Sequence, residues 1–289
     1  CMVLLVVDQW RQIAGVGWSI DPQLLLLSLV GLLALFFVDA FGWHLILRSL
    51  DQEITAKQSI RIWILSSLTR YVPGGFWPYI SRASLATEQG VRVATSTISL
   101  YIETLLLIAS SLAVGFPAFM GAAGIAVHPA LVLVVILACG ALLHPKAISL
   151  LCLIPGRIGK AIATVRLPPL SRIIGLYIYY VLFWVIFAVV FVCFVYAVHP
   201  IPVSYWTHIG STISLAFAIG FVLVFFPGGI GVREATLYFL LQPLLPHTAC
   251  LLISIGSRLW IMLGEGFSLL LVLIWTGPRR TTTSQSGRV

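Results

Sequence analysis

The sequence predicts an all-α integral membrane protein with about seven or eight membrane helices. Hydrophobic residues make up 60% of its 289 residues and charged residues only 9%, whereas soluble domains average about 45–50% and about 25%. A soluble domain of this length could not cover its surface with so few charges. The apolar residues also occur in long runs, and a helix needs about 20 apolar residues to cross the hydrocarbon core of a bilayer. Composition and run length together exclude a water-soluble protein.

Six apolar runs are clear candidates for membrane-spanning helices. They cover residues 24–47, 93–115, 127–143, 173–198, 204–226 and 249–275. Two further runs, 59–71 and 235–245, are too short to span alone, and a Pro-Gly-Gly tripeptide lies beside each of them. We expect residues 1–277 to form a single polytopic membrane domain with an incomplete first helix, and residues 278–289 to form a disordered cytoplasmic tail.

The basic residues predict which segments face the cytoplasm. All of the 17 Lys and Arg residues except Arg11, Arg233 and Arg258 fall in segment 48–92, in loop 144–172 or in the C-terminal tail. Basic loops remain on the cytoplasmic side, so both ends of segment 48–92 lie there, and its short helical run enters and leaves as a re-entrant hairpin. The net charge of +8 is therefore a topology signal, and no nucleic acid partner is expected. We expect a multi-pass protein of the inner (plasma) membrane with a cytoplasmic C-terminus.

A broken-helix motif occurs twice, about half a chain apart, and indicates a pseudo-repeat with two broken or re-entrant segments. In each copy Pro-Gly-Gly is followed by a short spacer, an arginine and an apolar helix. The residues are Pro73, Gly74, Gly75 and Arg82 in the first copy, and Pro227, Gly228, Gly229, Gly231, Arg233 and Glu234 in the second.

The chemistry of the motif suits an anion. Proline removes a backbone donor and glycine permits positive φ, so the helix is interrupted. Unwound backbone at membrane depth is tolerated where it is buried in protein or lines a wet cavity. The helix that restarts offers unpaired N–H groups and the positive end of its dipole, and Arg233 adds a full charge. A phosphate head group fits such a site. The plainer alternative is a tight turn at the membrane surface.

Ionisable residues also occur well inside the predicted spans, at Asp39, Glu103, Arg258 and Glu265. A charge at the bilayer centre costs about 2.5–3.5 kcal/mol on insertion scales, so such residues are usually paired or functional. We expect Arg258 to pair with Glu234 or Glu103. Glu265 is expected to pair with Arg233. The alternative is that these charges only hold helices together, and it is strongest for Asp39.

No pattern points to a metal, a cofactor or a catalytic residue. The five cysteines and six histidines do not have the spacing of a metal site. A nucleophile elbow and a Walker loop are also absent from the sequence. We therefore expect no metal site, no cofactor and no enzymatic activity.

These motifs resemble the lysylphosphatidylglycerol synthase transmembrane-region family, also called flippase-like domain proteins. Segment 227–235, which reads Pro-Gly-Gly-Ile-Gly-Val-Arg-Glu-Ala, is similar to the family's signature. Segment 70–75 with the downstream Arg82 is similar to its first Pro-Gly loop. Glu103 and Arg258 match the family's Glu in the next helix and its Arg in the last helix. The resemblance covers nearly the whole chain from about residue 20.

The resemblance implies a polytopic helical fold and a role in moving or handling lipids. The chain departs from the family pattern in two places: residues 104–108 contain no acid after Glu103, and Trp77 and Pro78 replace small residues. The soluble domain that transfers lysine in the family's namesake is not expected here, so lysyl transfer is not implied.

Three functions remain open. The favoured hypothesis is a flippase for an anionic or aminoacylated phospholipid, or for a polyprenyl-linked lipid, whose head group binds the two motifs together with Glu103, Arg258 and Glu265. The second is an enzyme that acts on a lipid-linked substrate. The third is an accessory protein for lipid-linked glycan synthesis. Membrane lipids are the expected partners, with a glycosyltransferase or lipid synthase and a second copy of the chain as further candidates.

Overall fold

The structure is a computed structural model that describes residues 20–72, 75–121, 129–150, 157–222 and 231–277. All regular secondary structure in these ranges is helical. The α-helices are α1 (Pro22–Ser49), α2 (Ala56–Ser67), α3 (Trp77–Thr87), α4 (Val93–Gly121), α5 (Pro129–Leu143), α6 (Pro145–Ser149), α7 (Arg157–Ile162), α8 (Leu170–Val198), α9 (Trp206–Val222), α10 (Val232–Leu241) and α11 (His247–Thr276). The predicted all-α class is confirmed.

Four of the described helices are long and apolar enough to cross a membrane. Their qualifying ranges are Pro22–Ser49, Val93–Ala118, Leu170–Val198 and His247–Thr276. Helices α5 and α9 correspond to the predicted spans 127–143 and 204–226, but they are only 15 and 17 residues long. The total of seven or eight membrane helices therefore stays a prediction.

Helix α1 begins where its sequence provides a cap. The carboxylate of Asp21 accepts hydrogen bonds from the backbone N–H groups of Gln23 and Leu24, at 2.9 and 3.1 Å. Pro22 occupies the first turn, where its missing N–H is not needed. The 28 residues extend about 42 Å at about 1.5 Å per residue. That length exceeds a hydrocarbon core of about 30 Å, which a helix accommodates by tilting.

Helix α8 shows how the bundle separates its core from its surroundings. One face carries the buried aromatic residues Tyr180, Trp184 and Phe191. The other face exposes aliphatic side chains such as Leu182 and Val189, at 56% and 59%. An exposed face that is apolar suits contact with lipid tails rather than water.

The most extensive helix contact among the described residues joins α4 to α9. A Cβ atom added at Gly115 of α4 would lie 2.8 Å from the backbone nitrogen of Leu215 on α9. Helix backbones approach this closely only where a side chain is absent. Helices α1 and α8 form the next most extensive contact, and α11 packs against α1, α2 and α10. The two broken-helix regions are thereby held against the same helix, α11.

The two copies of the motif have a common arrangement. Helices α2 and α3, which precede and follow the first Pro-Gly-Gly, contact each other, and so do α9 and α10 around the second. Pro73, Gly74, Pro227, Gly228 and Gly229 lie outside the described residues. Re-entry into the membrane therefore stays a prediction, while the packing of the two flanking helices is observed for each copy.

Candidate functional site

Arg82 and Glu103 form a buried ion pair, which we call the inner pair. The Arg82 Nη1 atom lies 2.5 Å from Glu103 Oε2, and the two side chains are 8% and 4% exposed. Trp63 Nε1–H donates to Glu103 Oε1 at 2.9 Å, and Arg82 Nε–H donates to Ser66 Oγ at 3.1 Å. The Arg82 guanidinium also lies over the rings of Trp43 and Trp63, at 5.5 and 5.0 Å from their centroids. Other protein groups therefore already engage the charged side chains of both Arg82 and Glu103.

The start of α10 builds a second group of charges. Gly231 has φ of 102°, a left-handed conformation that glycine adopts without a steric penalty. Its N–H donates to Glu234 Oε2 at 2.9 Å, so Glu234 caps its own helix. The other oxygen, Oε1, accepts from Arg258 Nη1 at 2.8 Å. Arg258 therefore pairs with Glu234, which is one of its two predicted partners.

Glu265 has a different partner from the predicted one. Arg70 Nη1 lies 2.7 Å from Glu265 Oε1, and the Tyr71 hydroxyl donates to Oε2 at 2.5 Å. The predicted pair of Glu265 with Arg233 is wrong. The physical reason is the 3₁₀ turn Leu68–Tyr71, which ends α2 and brings Arg70 and Tyr71 against α11.

Arg233 lies near Glu234 without a hydrogen bond to it. Its Nη2 is 3.9 Å from Glu234 Oε1, and its guanidinium lies 4.5 Å from the centroid of the Phe217 ring. The Nε atom is enclosed and has no hydrogen-bond partner among the described residues. The charges of Glu234, Glu265, Arg70 and Arg258 all act on Arg233. The five charged side chains therefore form one group, which we call the arginine site.

The arginine site carries more positive than negative charge and is partly open. Three arginines face two glutamates, and the side chains of Arg70 and Arg258 are 36% and 32% exposed. A guanidinium has five N–H donors in a planar fork that matches the oxygens of a phosphate or carboxylate. Few of these donors are used by Glu234 and Glu265. The site can therefore accept one further anion and hold it with charge-assisted hydrogen bonds.

The structure brings some predicted site residues together and separates others. Gly231, Arg233, Glu234, Arg258 and Glu265 meet at the arginine site. Arg82 and Glu103 form the inner pair instead, and Gly75 lies in the turn that leads into α3.

Arg70 and Tyr71 are functional candidates that the sequence interpretation missed. Both residues belong to segment 70–75, which carries the family resemblance, but neither is among the predicted site residues, and Arg70 counts as one of the cytoplasmic basic residues. The available signal was their position, because both lie within three residues of the first Pro-Gly-Gly. Arg70 lies just before the first break, as Arg233 lies just after the second.

Comparison with known proteins gives a family. Residues 2–264 match the family described as lysylphosphatidylglycerol synthase TM region. No curated protein and no solved structure matches the chain. The family and the four apolar helices of spanning length indicate a multi-pass membrane protein with a role connected to membrane lipids. The chain belongs to the lysylphosphatidylglycerol synthase TM region family.

Proposed function

We propose that the protein is a flippase that moves a lipid with a phosphate-containing head group between the two leaflets, without covalent chemistry. The candidate lipids are an anionic or aminoacylated phospholipid and a polyprenyl-linked lipid. The observation that carries the proposal is the arginine site, where three arginines surround two glutamates and two of the arginines remain partly exposed. Each candidate lipid contains a phosphate, which is the group that such an arginine cluster recognises.

The charges of the arginine site suit the passage of a head group. A head group in the hydrocarbon core loses its water and pays a large electrostatic penalty. The arginine N–H donors replace that water, and one added negative charge neutralises the surplus of the site. An aminoacylated head group also carries an ammonium group. Glu234 or Glu265 can bind this ammonium group once the phosphate has paired with the arginines that they otherwise bind.

The position of the site connects binding to movement. Arg70 lies in the turn before the first break and pairs with Glu265 of α11. Arg233 lies in the first turn of the helix after the second break, beside Glu234, which pairs with Arg258 of α11. When a phosphate takes the guanidinium of Arg70, it weakens the ion pair that ties the first broken element to Glu265. Binding can then favour a second arrangement of the broken elements, because the ligand interacts differently with the two arrangements.

The proposed location follows from the charge distribution. The segments that contain most of the Lys and Arg residues are expected on the cytoplasmic side, which supports a cytoplasmic C-terminus. The proposed membrane is the plasma (inner) membrane. Membrane lipids are the proposed partners. Reporter fusions at the C-terminus test this topology, and a reporter active only outside the cytoplasm would contradict it.

Reconstitution tests the proposed activity. The full chain is placed in vesicles that contain a trace of fluorescently labelled phosphatidylglycerol, and a membrane-impermeant reductant reports the label in the outer leaflet. The wild type is expected to expose the whole label, while Arg258→Ala retains about half of it in the inner leaflet, as protein-free vesicles do. Arg172→Ala is the matched control, because Arg172 is an exposed arginine outside the arginine site.

Two outcomes would overturn the proposal. Equal translocation by the wild type and Arg258→Ala would remove the arginine site from the mechanism. A covalently altered lipid in the presence of the wild type, lost in Glu103→Gln, would favour an enzyme instead.

A further inference from the structure

A cavity lies between the end of α1 and the start of α2, and it shares no residue with the arginine site or the inner pair. Its volume is about 520 Å³, and it opens to the surface. The residues that line it are His44, Arg48, Glu53, Ile54, Thr55 and Ala56. A cavity of this size has room for a lipid head group, so the chemistry of the lining decides which head group fits.

Arg48 and Glu53 give the cavity two opposite charges that do not neutralise each other. Both side chains are exposed. Neither forms a side-chain hydrogen bond, or an ion pair of 4.0 Å or less, with any residue that the structure describes. Two opposite charges that line one cavity without meeting can each bind one end of a zwitterion.

The other polar groups of the lining are engaged within the protein. His44 Nδ1 lies 3.2 Å from the Ser59 hydroxyl. Thr55 and Gln58 cap the start of α2, because the Gln58 N–H donates to Thr55 Oγ1 at 3.3 Å and the Thr55 N–H donates to Gln58 Oε1 at 3.1 Å. The charges of Arg48 and Glu53, and not the end of the helix, are therefore the groups available to a ligand.

The helices place the cavity at the head-group level of a membrane. Helices α1 and α2 form a hairpin, in which His44 and Ser59 lie side by side and residues 50–55 make the connection. Lys57, in the first turn of α2, lies over the ring of Trp275, 5.4 Å from its centroid. Because tryptophan prefers the membrane–water interface, the end of α1 and the start of α2 are expected there too.

The order of the two charges matches the order of groups in a phospholipid head group. Arg48 lies in the last turn of α1, and Glu53 lies beyond it in the connection. In phosphatidylethanolamine the phosphate is attached to the glycerol, and the ammonium group lies further out, toward water. The phosphate therefore meets Arg48, and the ammonium group meets Glu53.

We propose that this cavity binds the head group of phosphatidylethanolamine from the adjacent leaflet, at a site separate from the arginine site. The Arg48 guanidinium donates to the phosphate, and the Glu53 carboxylate accepts from the primary ammonium group. This site does not depend on the proposed flippase activity.

The lining distinguishes ethanolamine from other common head groups. A choline head group has no N–H to donate, and proteins recognise quaternary ammonium groups with aromatic cages. The lining residues of this cavity include no Phe, Tyr or Trp. Phosphatidylglycerol carries no cation for Glu53. The expected ligand is therefore a phosphate that bears a primary amine.

Native mass spectrometry of the full chain in non-ionic detergent tests the site. Phosphatidylethanolamine and phosphatidylcholine with identical acyl chains are titrated separately, because they share the phosphate and differ in the ammonium group. The wild type is expected to bind phosphatidylethanolamine about fivefold more tightly, the upper range for one exposed ion pair. Glycerophosphoethanolamine, the same head group without tails, should not displace the lipid at equal concentration.

Variants assign the two charges. Glu53→Gln is expected to abolish the preference for phosphatidylethanolamine, and Arg48→Gln to weaken the binding of both lipids. Asp51→Asn is the matched control and should keep the preference, because Asp51 is an exposed carboxylate near Glu53 that does not line the cavity. The charge swap Arg48→Glu with Glu53→Arg should not restore the preference, since the tails fix the order of phosphate and amine.

Four results would overturn the inference. They are equal wild-type affinities for the two lipids, an unchanged preference in Glu53→Gln, a preference restored by the charge swap, and displacement of the lipid by glycerophosphoethanolamine. The first two would remove the amine from the site, the third would show that the charges act only on each other, and the fourth would indicate a soluble ligand. All four are distinct from a failure of the proposed function, which appears as absent translocation of phosphatidylglycerol in vesicles.

Discussion

The inner pair and the arginine site use the same two residue types in opposite ways. In the inner pair, one arginine meets one glutamate, and Trp63, Ser66 and the ring of Trp43 surround them. At the arginine site, three arginines share two glutamates, and two of the guanidinium groups are about a third exposed. A charge that is fully matched holds helices together, whereas a charge that is incompletely matched and accessible can bind a ligand. The ratio of arginines to glutamates and the exposure of the arginines therefore distinguish the inner pair, which is structural, from the arginine site, which is the candidate binding site.

The largest expected effect is at the inner pair, where Glu103→Ala leaves Arg82 buried without a counter-charge. Loss of one partner of a buried ion pair costs about 3–5 kcal/mol of the free energy of unfolding. Denaturant unfolding in detergent measures it. The double variant Arg82→Met with Glu103→Leu should recover most of the loss, because no charge is then left unpaired. A loss below about 1 kcal/mol in Glu103→Ala, the scale of an exposed ion pair, would show that the pair is not structural.

Arg70→Ala should weaken binding and cost less stability than Glu103→Ala. The buried Glu265 loses its counter-charge but keeps its hydrogen bond from Tyr71, and Arg70 itself is partly exposed. The affinity for fluorescent phosphatidylglycerol should fall by about tenfold or more, since a charge-assisted hydrogen bond contributes about 1.5–3 kcal/mol. Arg166→Ala is the control, because that arginine is 86% exposed and lies outside the site. Equal affinities of Arg70→Ala and the wild type would contradict the comparison.

Gly231→Ala tests the backbone that starts α10. An L-residue in the left-handed conformation costs about 1–2 kcal/mol, and none of the described residues has an atom within 4 Å of the added Cβ. Stability should fall by that amount in denaturant unfolding. Gly220→Ala adds the same methyl group to open space within α9, where alanine is the better helix former. Gly220→Ala should leave stability unchanged or increase it. An equal loss of stability in both variants would show that the positive φ of Gly231 is not the cause.

The smallest expected effect is at Tyr71→Phe, which removes one hydrogen bond to Glu265. The tyrosine is 42% exposed, so the loss should be about 0.5–1.5 kcal/mol of the free energy of unfolding. The affinity for phosphatidylglycerol should stay equal or fall slightly, because Glu265 then depends on Arg70 alone and competes more strongly with the lipid phosphate for it. A loss of binding as large as that of Arg70→Ala would place the Tyr71 hydroxyl among the groups that contact the ligand.

Part of the candidate site could be predicted from the sequence because its signals are local. Gly231, Arg233 and Glu234 follow one another at a helix start, so their proximity needs no tertiary information. Arg258 was recognised because a charge inside an apolar run is costly in lipid. The partner of Glu265 could not be found in this way. Its hydrogen bond from Tyr71 joins residues 194 positions apart, and only helix packing brings them together.

The sequence by itself determined the membrane class, the repeated broken helix and the residues that carry charge within the helices. These properties depend on composition and on spacing along one helix, which lipid and backbone geometry constrain directly. The tertiary structure decided which charge meets which. It closed Arg82 and Glu103 into a matched pair and placed Arg70 at the arginine site. The physical reason is that an ion pair forms between whichever opposite charges helix packing brings within about 4 Å, and that packing depends on side-chain shape far from the charges.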